Sequence, residues 1–433
     1  MNGSRPLAES AFPAPLRDGV TGLPGIDTAR RRLAEWAEGA GLHALLLGLR
    51  RFDAVNLAYG AAAGDVALAE LGARISHFAG AELDGPWLAA HAGGGTFLLV
   101  ASEACSRDRW QVFAEALADI VAKPIAGKNG AMRLSPRIAL LRGVPGEGAE
   151  SIIDRLSQAL AIAQRQQGRR LVWADGEVSP PGRTAAELEG DLLGAIDGDQ
   201  IEILYQPQFG AHDDRLTGAE ALARWNHPTL GRIGAGALFA VAERTDHVAP
   251  LSRHIARLAL AGAALWPTPL RLSLNVTAAD LAAASFAEDL GATIAASAFP
   301  ADRLTLEVTE QALLGDVQQA RRSLQVLADS GVRVALDDFG AGFCNFRYLK
   351  LLPLDYLKLD RSMIDGITSD PRDLAVLRAI VAMARALDLE VIAEGIESEA
   401  QRALVAAEGC ATYQGFLRAQ PMSAGQFAGL ANS

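Results

Sequence analysis

The stretch Val332-Arg333-Val334-Ala335-Leu336-Asp337-Asp338-Phe339-Gly340-Ala341-Gly342 is a short apolar strand that runs into two adjacent carboxylates and then into glycine. Neighbouring strand residues point to opposite faces, so Asp337 and Asp338 can face one site only where the strand ends and turns. Gly340-Ala341-Gly342 supplies the turn. Two partly desolvated carboxylates repel by about 4 kcal/mol at 4 Å and an effective dielectric constant of ~20. A bound cation removes that cost.

Outward from this segment the pattern repeats. Eight apolar segments, at residues 201–209, 216–225, 271–277, 304–310, 333–339, 356–360, 390–397 and 412–419, are mostly followed by helix-period stretches. Asp370-Pro371 marks a helix start and Gly331 a helix end. Eight strands with intervening helices over ~250 residues predict an α/β architecture, a TIM-like (β/α)8 barrel. Active sites of that fold lie at the C-terminal ends of the strands, so polar residues there carry functional weight.

Those ends are acidic. Glu220 sits in Leu216-Thr217-Gly218-Ala219-Glu220-Ala221-Leu222, Asn275 in Leu272-Ser273-Leu274-Asn275, and Glu307 in Leu304-Thr305-Leu306-Glu307-Val308-Thr309-Glu310. Lys358 and Asp360 lie two apart and share a strand face, and Glu394 and Glu397 close the next strand. Singly, each has a structural reading: Glu220 as a buried partner of Arg224, Asn275 as a hydrogen-bonded core amide, the others as solvated charges. Together they form an oxygen-only donor set without His or Cys, which suits Mg2+ or Mn2+ rather than zinc. Two such ions per site can activate water and clamp a phosphodiester.

At 433 residues the chain is long enough for two or three domains, and its 50% hydrophobic and 21% charged composition is that of an ordinary globular protein. The net charge of -11 argues against a nucleic-acid polymer as partner. Cys105, Cys344 and Cys410 are scattered without metal or disulfide spacing, which fits a reducing compartment. The first fifteen residues are broken by Pro6, Pro13 and Pro15, unlike a signal peptide, and no apolar run reaches ~18 residues. A cytoplasmic protein without a membrane segment is expected.

Ser179-Pro180-Pro181-Gly182-Arg183 interrupts the pattern and reads as an interdomain linker. Before it, helices over residues 28–39 and 62–78, a strand over 43–49 and a hairpin around Gly93-Gly94-Gly95 predict a compact α/β sandwich. The expected division is a tail (1–17), a first domain (18–175), a linker (176–185) and a second domain (186–433).

On these residues the second domain resembles the EAL-type cyclic di-GMP phosphodiesterases, with Glu220-Ala221-Leu222 as the naming motif and the others in the expected order. The resemblance implies that Glu220, Asn275, Glu307, Asp337, Asp338 and Glu394 are metal ligands, and that Lys358 and Asp360 lie near the attacking water. Glu310 would brace the loop after Asp338, Glu397 is the second acid of its motif, and Gln414 matches the active-site glutamine. Gln206 and Arg224 match positions near the substrate. Ala341 and Cys344 replace the usual Thr and Ser, and Gln420 precedes Pro421 in place of a basic residue.

The first domain resembles the GGDEF domains of diguanylate cyclases, through Thr21-Gly22-Leu23-Pro24, Phe52 with Asn56, Gly64-Asp65 and Gly93-Gly94-Gly95-Thr96-Phe97. Its signature is degraded. Gly95 and Thr96 occupy the two acidic positions, Gly48 the other metal-binding aspartate, and Gln164 a phosphate-contacting lysine, while Asp84 and Trp87 stand at the outer positions of the inhibitory RxxD motif. No cyclase activity is expected; a simple hairpin or a surviving GTP-sensing site both remain open. The expected function is metal-dependent hydrolysis of cyclic di-GMP to linear pGpG, by a barrel that the family pairs into a homodimer. A non-hydrolysing cyclic di-GMP receptor is the alternative, and a metal-dependent lyase or aldolase rests on the barrel alone.

Overall fold

The computed structural model describes residues 17–37, 39, 41–50, 52, 56, 60–127, 130–165, 170–174, 185–313, 316–340 and 346–432. The expected linker apart from Ala185, which opens the helix Ala185–Asp197, most of the N-terminal tail, and Ala341, Gly342 and Cys344 lie outside them. The chain divides into two compact units, Met1–Pro180 and Pro181–Ser433.

In the first unit, β1 (Leu42–Leu49), β2 (Trp87–Gly93), β3 (Thr96–Ser102), β6 (Pro136–Arg142) and β7 (Leu171–Trp173) form one sheet in the order β2-β3-β1-β6-β7, while β4 (Ile125–Gly127) and β5 (Gly130–Met132) pair separately. Every residue of β1 is buried, because helices cover both faces of the sheet. Leu33 from helix Ile26–Trp36 and Ile152 and Leu156 from helix Ala149–Arg165 pack on Ala44, Leu46 and Leu98. On the other face Phe78, Trp110 and Phe113 from helices Ala61–Glu82 and Arg107–Ala122 stack at 4.8–5.0 Å. The glycine hairpin joins β2 to β3, with Gly93 and Gly94 at positive φ.

The second unit is the barrel. Its strands are β8 (Ile201–Gly210), β9 (Leu216–His227), β10 (Gly231–Ile233), β11 (Arg271–Val276), β12 (Leu304–Thr309), β13 (Arg333–Phe339), β14 (Tyr356–Leu359), β15 (Glu390–Ala393), β16 (Thr412–Gln414) and β17 (Met422–Ser423). β9 and β11 to β16 run parallel, and β8 closes the ring between β16 and β9, antiparallel to both. Reversal of the first strand follows from its connection: residues 211–215 are enough for a hairpin and too few for the crossover that parallel neighbours need. β10 and β17 are short additions outside the ring.

Alternation builds the interior. Leu272, Leu274, Leu304, Leu306, Val334 and Leu336 are buried toward the surrounding helices, which leaves Ser273, Thr305, Glu307 and Asp337 on the opposite, inward face. The helices begin at side-chain caps, Asp370 accepting from Arg372 N ahead of Pro371 and Ser398 forming a capping box with Gln401. Two strands are shorter than their apolar runs. Gly395 at φ 69° ends β15 after Ala393, and at Gly415, which follows β16, a Cβ would stand 2.2 Å from Ile396 O.

Gly218 has a comparable role inside the ring: a Cβ there would meet the Arg271 carbonyl oxygen of β11 at 2.3 Å. Gly218→Ala is expected to lower barrel stability by about 2 kcal/mol or more, since backbone must move on both strands. Urea unfolding of the variant checks this; an unchanged midpoint would show that β9 and β11 can separate freely.

Candidate active site

The seven parallel strands β9 and β11 to β16 bring the sequence-identified groups to one end of the barrel. Lys358 of β14 is at the centre, 1% exposed. Its Nζ lies 2.6 Å from Glu307 Oε2, 2.7 Å from Glu394 Oε1, 3.0 Å from Asp337 Oδ1 and 3.6 Å from Glu220 Oε2. Asn275 Nδ2 donates to Glu220 Oε1 at 2.7 Å, and Gln414 Nε2 donates to both Glu220 Oε2 (2.9 Å) and Glu394 Oε1 (2.8 Å). Glu220, Asn275, Glu307, Asp337, Lys358, Glu394 and Gln414 therefore form one connected cluster.

Asp338 joins it through the backbone. It adopts φ 57°, its N–H donates to Asp337 Oδ1 at 2.9 Å, and the β13–β14 register shifts between Leu336 and Phe339. That kink is the turn the adjacent acids required. Oxygens of Asp337, Asp338 and Glu394 come within 4.8 Å of one another.

One ammonium faces four carboxylates here, so the cage carries a deficit of positive charge in a place where water cannot supply it. Burial pushes the Glu307 carboxyl well above its ordinary range; Lys358 pulls it down, and Glu220 and Asp337 push it further up. Glu394 is raised in the same way, by burial and by Asp337 and Glu220 against Lys358. Burial alone would depress Lys358, but the carboxylates hold its ammonium firmly protonated. Glu307 Oε1 is buried without a hydrogen-bond partner. An orphaned carboxylate oxygen, an all-oxygen donor set and excess negative charge fit hard divalent cations, and Lys358 Nζ marks where positive charge is best stabilised.

The remaining predicted residues lie on strands of the barrel or directly after them. Gln206 is buried on β8 and donates to Ala419 O at 2.7 Å; Arg224, on β9, donates to Ala223 O at 2.9 Å. Asp360 follows β14 and accepts from Ser362 N at 2.9 Å. Glu310 opens the 3-10 turn Glu310–Leu313, and its expected partner loop lies outside the described residues. Glu397 is exposed and pairs with Arg361 at 2.7 Å. Sequence reading missed Gln208, whose Nε2 donates to Gln414 Oε1 at 3.0 Å. The signal was present, since Gln206 and Gln208 are two apart on one strand and share its face.

In the first unit, Gly48, Gly93, Gly94, Gly95 and Thr96 lie where β1 meets the β2–β3 hairpin, Gly48 opposite Thr96. A Cβ at Gly48 would fall 2.8 Å from Gln164 Nε2 and 2.9 Å from Leu160 Cδ2, and one at Gly95 would fall 3.0 Å from Phe52 Cβ. At Gly95 the contacts are with Cβ atoms close to the backbone, whereas at Gly48 they are with the movable ends of two side chains.

Residues 189–421, more than half of the chain, match the EAL domain family model, and residues 16–170 match that of the diguanylate cyclase, GGDEF domain. The chain is 30% identical over 422 residues to the bifunctional diguanylate cyclase/cyclic di-GMP phosphodiesterase MucR of Pseudomonas aeruginosa, covering 95% of this chain and 61% of MucR. It is 30% identical over 394 residues to the cyclic di-GMP phosphodiesterase NbdA of the same organism, covering 89% of this chain and 49% of NbdA. The chain thus spans about half to two thirds of the curated relatives it matches. Among solved structures, the MucR phosphodiesterase in complex with c-di-GMP superposes with a TM-score of 0.52 at 34% identity, over 55% of this chain and 99% of that one. The GGDEF-EAL portion of Vibrio cholerae LapD, at 17% identity and a TM-score of 0.53, shares the fold over 93% of this chain and 95% of that one. The chain belongs to the EAL domain family, with a GGDEF domain ahead of its barrel.

Proposed function

We propose that the barrel hydrolyses cyclic di-GMP to linear pGpG with two Mg2+ or Mn2+ ions, and that residues 18–175 form a regulatory unit ahead of the catalytic residues 186–433. The observation that carries this reading is the buried cage of four carboxylates around Lys358, whose excess charge added cations would balance in place of protons on Glu307 and Glu394. Its likeness to the c-di-GMP complex of MucR supports the substrate. Bound metal would supply a hydroxide at neutral pH and withdraw charge from the phosphate. Glu220, Asn275, Glu307, Asp337, Asp338 and Glu394 would hold it.

Hydrolysis forms one bond from water oxygen to phosphorus and breaks the P–O3′ bond, leaving a proton for the departing oxygen. Asp360 has one oxygen fixed by Ser362 N and the other without a hydrogen-bond partner among the described residues, so it is placed to accept the water proton. Lys358 offsets the charge that develops on phosphate oxygens. Gln414 and Asn275 keep the Glu220 carboxylate oriented. Gln206, Arg224 and Glu397 are assigned to substrate contact.

Incubation of the purified chain with cyclic di-GMP and either metal, followed by chromatography, tests this, with Glu220→Ala as control. No linear product with either ion rejects hydrolysis; tight binding of unchanged nucleotide would indicate a receptor. For the first unit the proposal is an inactive cyclase in which GTP acts as an effector. GTP should yield no cyclic di-GMP, and turnover by the barrel should change when GTP is added. Gly48→Asp alone is expected not to restore synthesis, because Gly95 and Thr96 still leave the other two acidic positions without carboxylates. A homodimer in the cytoplasm completes the reading, and sedimentation velocity tests the dimer.

A further inference from the structure

Two residues behind the cage on four of the strands, the inward side chains become small or hydroxylated: Ser273 behind Asn275, Thr305 behind Glu307, Ala335 behind Asp337, Thr412 behind Gln414; Tyr356 and Ile392 stand at that level behind Lys358 and Glu394. Barrels of this class normally fill that level with branched aliphatic side chains. Here a cavity of about 380 Å3 lies instead, lined by Ser273, Thr305, Thr412 and Gln208 and opening at the N-terminal mouth between Arg271, Arg333 and Glu390. Its size falls within the range of small-molecule sites, roughly 300–1,000 Å3.

The lining has unused hydrogen-bonding capacity. Ser273 and Thr305 are each 3% exposed, and neither hydroxyl has a hydrogen-bond partner among the described residues. Arg271 is held by Nη2 donating to Asp302 O at 2.9 Å and by its stack over Tyr356, yet its Nε is buried with no acceptor. Asp355 is committed to Arg333 and Val334 N, whereas Asp388 and Glu390 at the mouth form no ion pair among the described residues. The site therefore offers one cationic donor, two free carboxylates and a hydroxyl-lined interior. The Ser273 and Thr305 hydroxyls and Arg271 Nε are the buried groups among these that a bound molecule or water could satisfy.

Gln208 connects this cavity to the cage. It lines the cavity and donates to Gln414 Oε1, which leaves Gln414 Nε2 facing Glu220 and Glu394. An amide turned the other way would set an oxygen against two carboxylates, so Gln208 is a positioning residue for Gln414.

We propose that the N-terminal mouth of the barrel binds a small zwitterionic α-amino acid with a polar side chain, its carboxylate on Arg271 and its ammonium on Glu390, and that occupancy reaches the metal cage through Gln208 and Gln414. Binding stands apart from the proposed hydrolysis; the coupling rests on the metal reading.

Calorimetry on the full chain without metal, using serine, glutamine, glycerol and inorganic phosphate, separates the two. Serine or glutamine should bind, and Glu390→Gln, an exposed change, should weaken binding by at least about tenfold. Thr305→Leu should abolish it by filling the cavity, with circular dichroism confirming the fold. The bound amino acid should then shift Mn2+ affinity, read by electron paramagnetic resonance of free Mn2+, and Gln208→Leu, measured at amino-acid concentrations that calorimetry shows to saturate the variant, should lose that shift. Failure of both amino acids to bind, preference for glycerol or phosphate, or indifference to Glu390→Gln overturns the site. Amino-acid binding with no change in Mn2+ affinity overturns the coupling, whereas failure to bind Mn2+ at all counts against the metal reading.

Discussion

Lys358→Ala should melt about 6–20 °C below the wild type in the absence of metal, and Mg2+ should recover much more of the stability of the variant than it adds to the wild type. Removing one partner from a buried charge cluster costs about 3–5 kcal/mol, because the remaining charges stay desolvated and uncompensated. In a unit of 150–250 residues, each kcal/mol moves the melting temperature by about 2–4 °C. The Lys358 ammonium is within 3.0 Å of three carboxylates and 3.6 Å of a fourth, so its removal leaves only repulsion among them. Protonation of Glu307 and Glu394, already favoured by burial, relieves part of the loss. A divalent ion relieves the rest. Scanning calorimetry of Lys358→Ala and Lys358→Met, with and without Mg2+, separates charge from volume. Equal Mg2+ stabilisation of variant and wild type would mean that the ion binds elsewhere.

Glu307→Gln is expected to act in the opposite direction on stability while reducing hydrolysis by about 1,000-fold, or about 4 kcal/mol of barrier. Glu307 is 0% exposed, with one oxygen on Lys358 and the other orphaned. Its folded-state pKa is raised, chiefly by burial, above the unfolded value of about 4.3. An acid raised in this way costs stability as pH climbs past its unfolded value and restores it on acidification. The amide removes that cost and that pH dependence, so the metal-free variant should be more stable than the wild type at neutral pH. It also removes a ligand. For the wild type, metal binding must displace protons from Glu307 and Glu394, so Mn2+ affinity should fall as pH is lowered. Urea melts and Mn2+ titrations across pH on both proteins check this, and an unchanged Mn2+ affinity in Glu307→Gln would remove Glu307 from the ligand set.

Much of the barrel was legible because its signal is local. Leu304-Thr305-Leu306-Glu307-Val308-Thr309 alternates cleanly, and alternation fixes which residues turn inward whatever the rest of the chain does. Strand direction is not encoded in that pattern, so β8 read like the others although it runs the opposite way. Apolar runs also overstate strand length where a positive-φ glycine ends pairing, as at Gly395. Within the site, the acids announced themselves by lying at the ends of strands. The central place of Lys358 did not, because Leu357-Lys358-Leu359 gives no sign that acids from β9, β12 and β13 converge on that ammonium. Gln208 escaped notice because its partner, Gln414, is 206 residues away.

That separation has a kinetic consequence. The barrel closes where β16 meets β8, and the same two strands supply Gln208 and Gln414, so the bonds that orient Glu220 and Glu394 form only when the ring shuts. Contacts this distant in sequence are slow to form, since loop entropy must be lost before they contribute. Regain of activity should therefore trail regain of helix content during refolding, and a nascent or nicked chain that has its helices but an open ring would be helical without a working cage. Hydrolysis would report on the last step of folding.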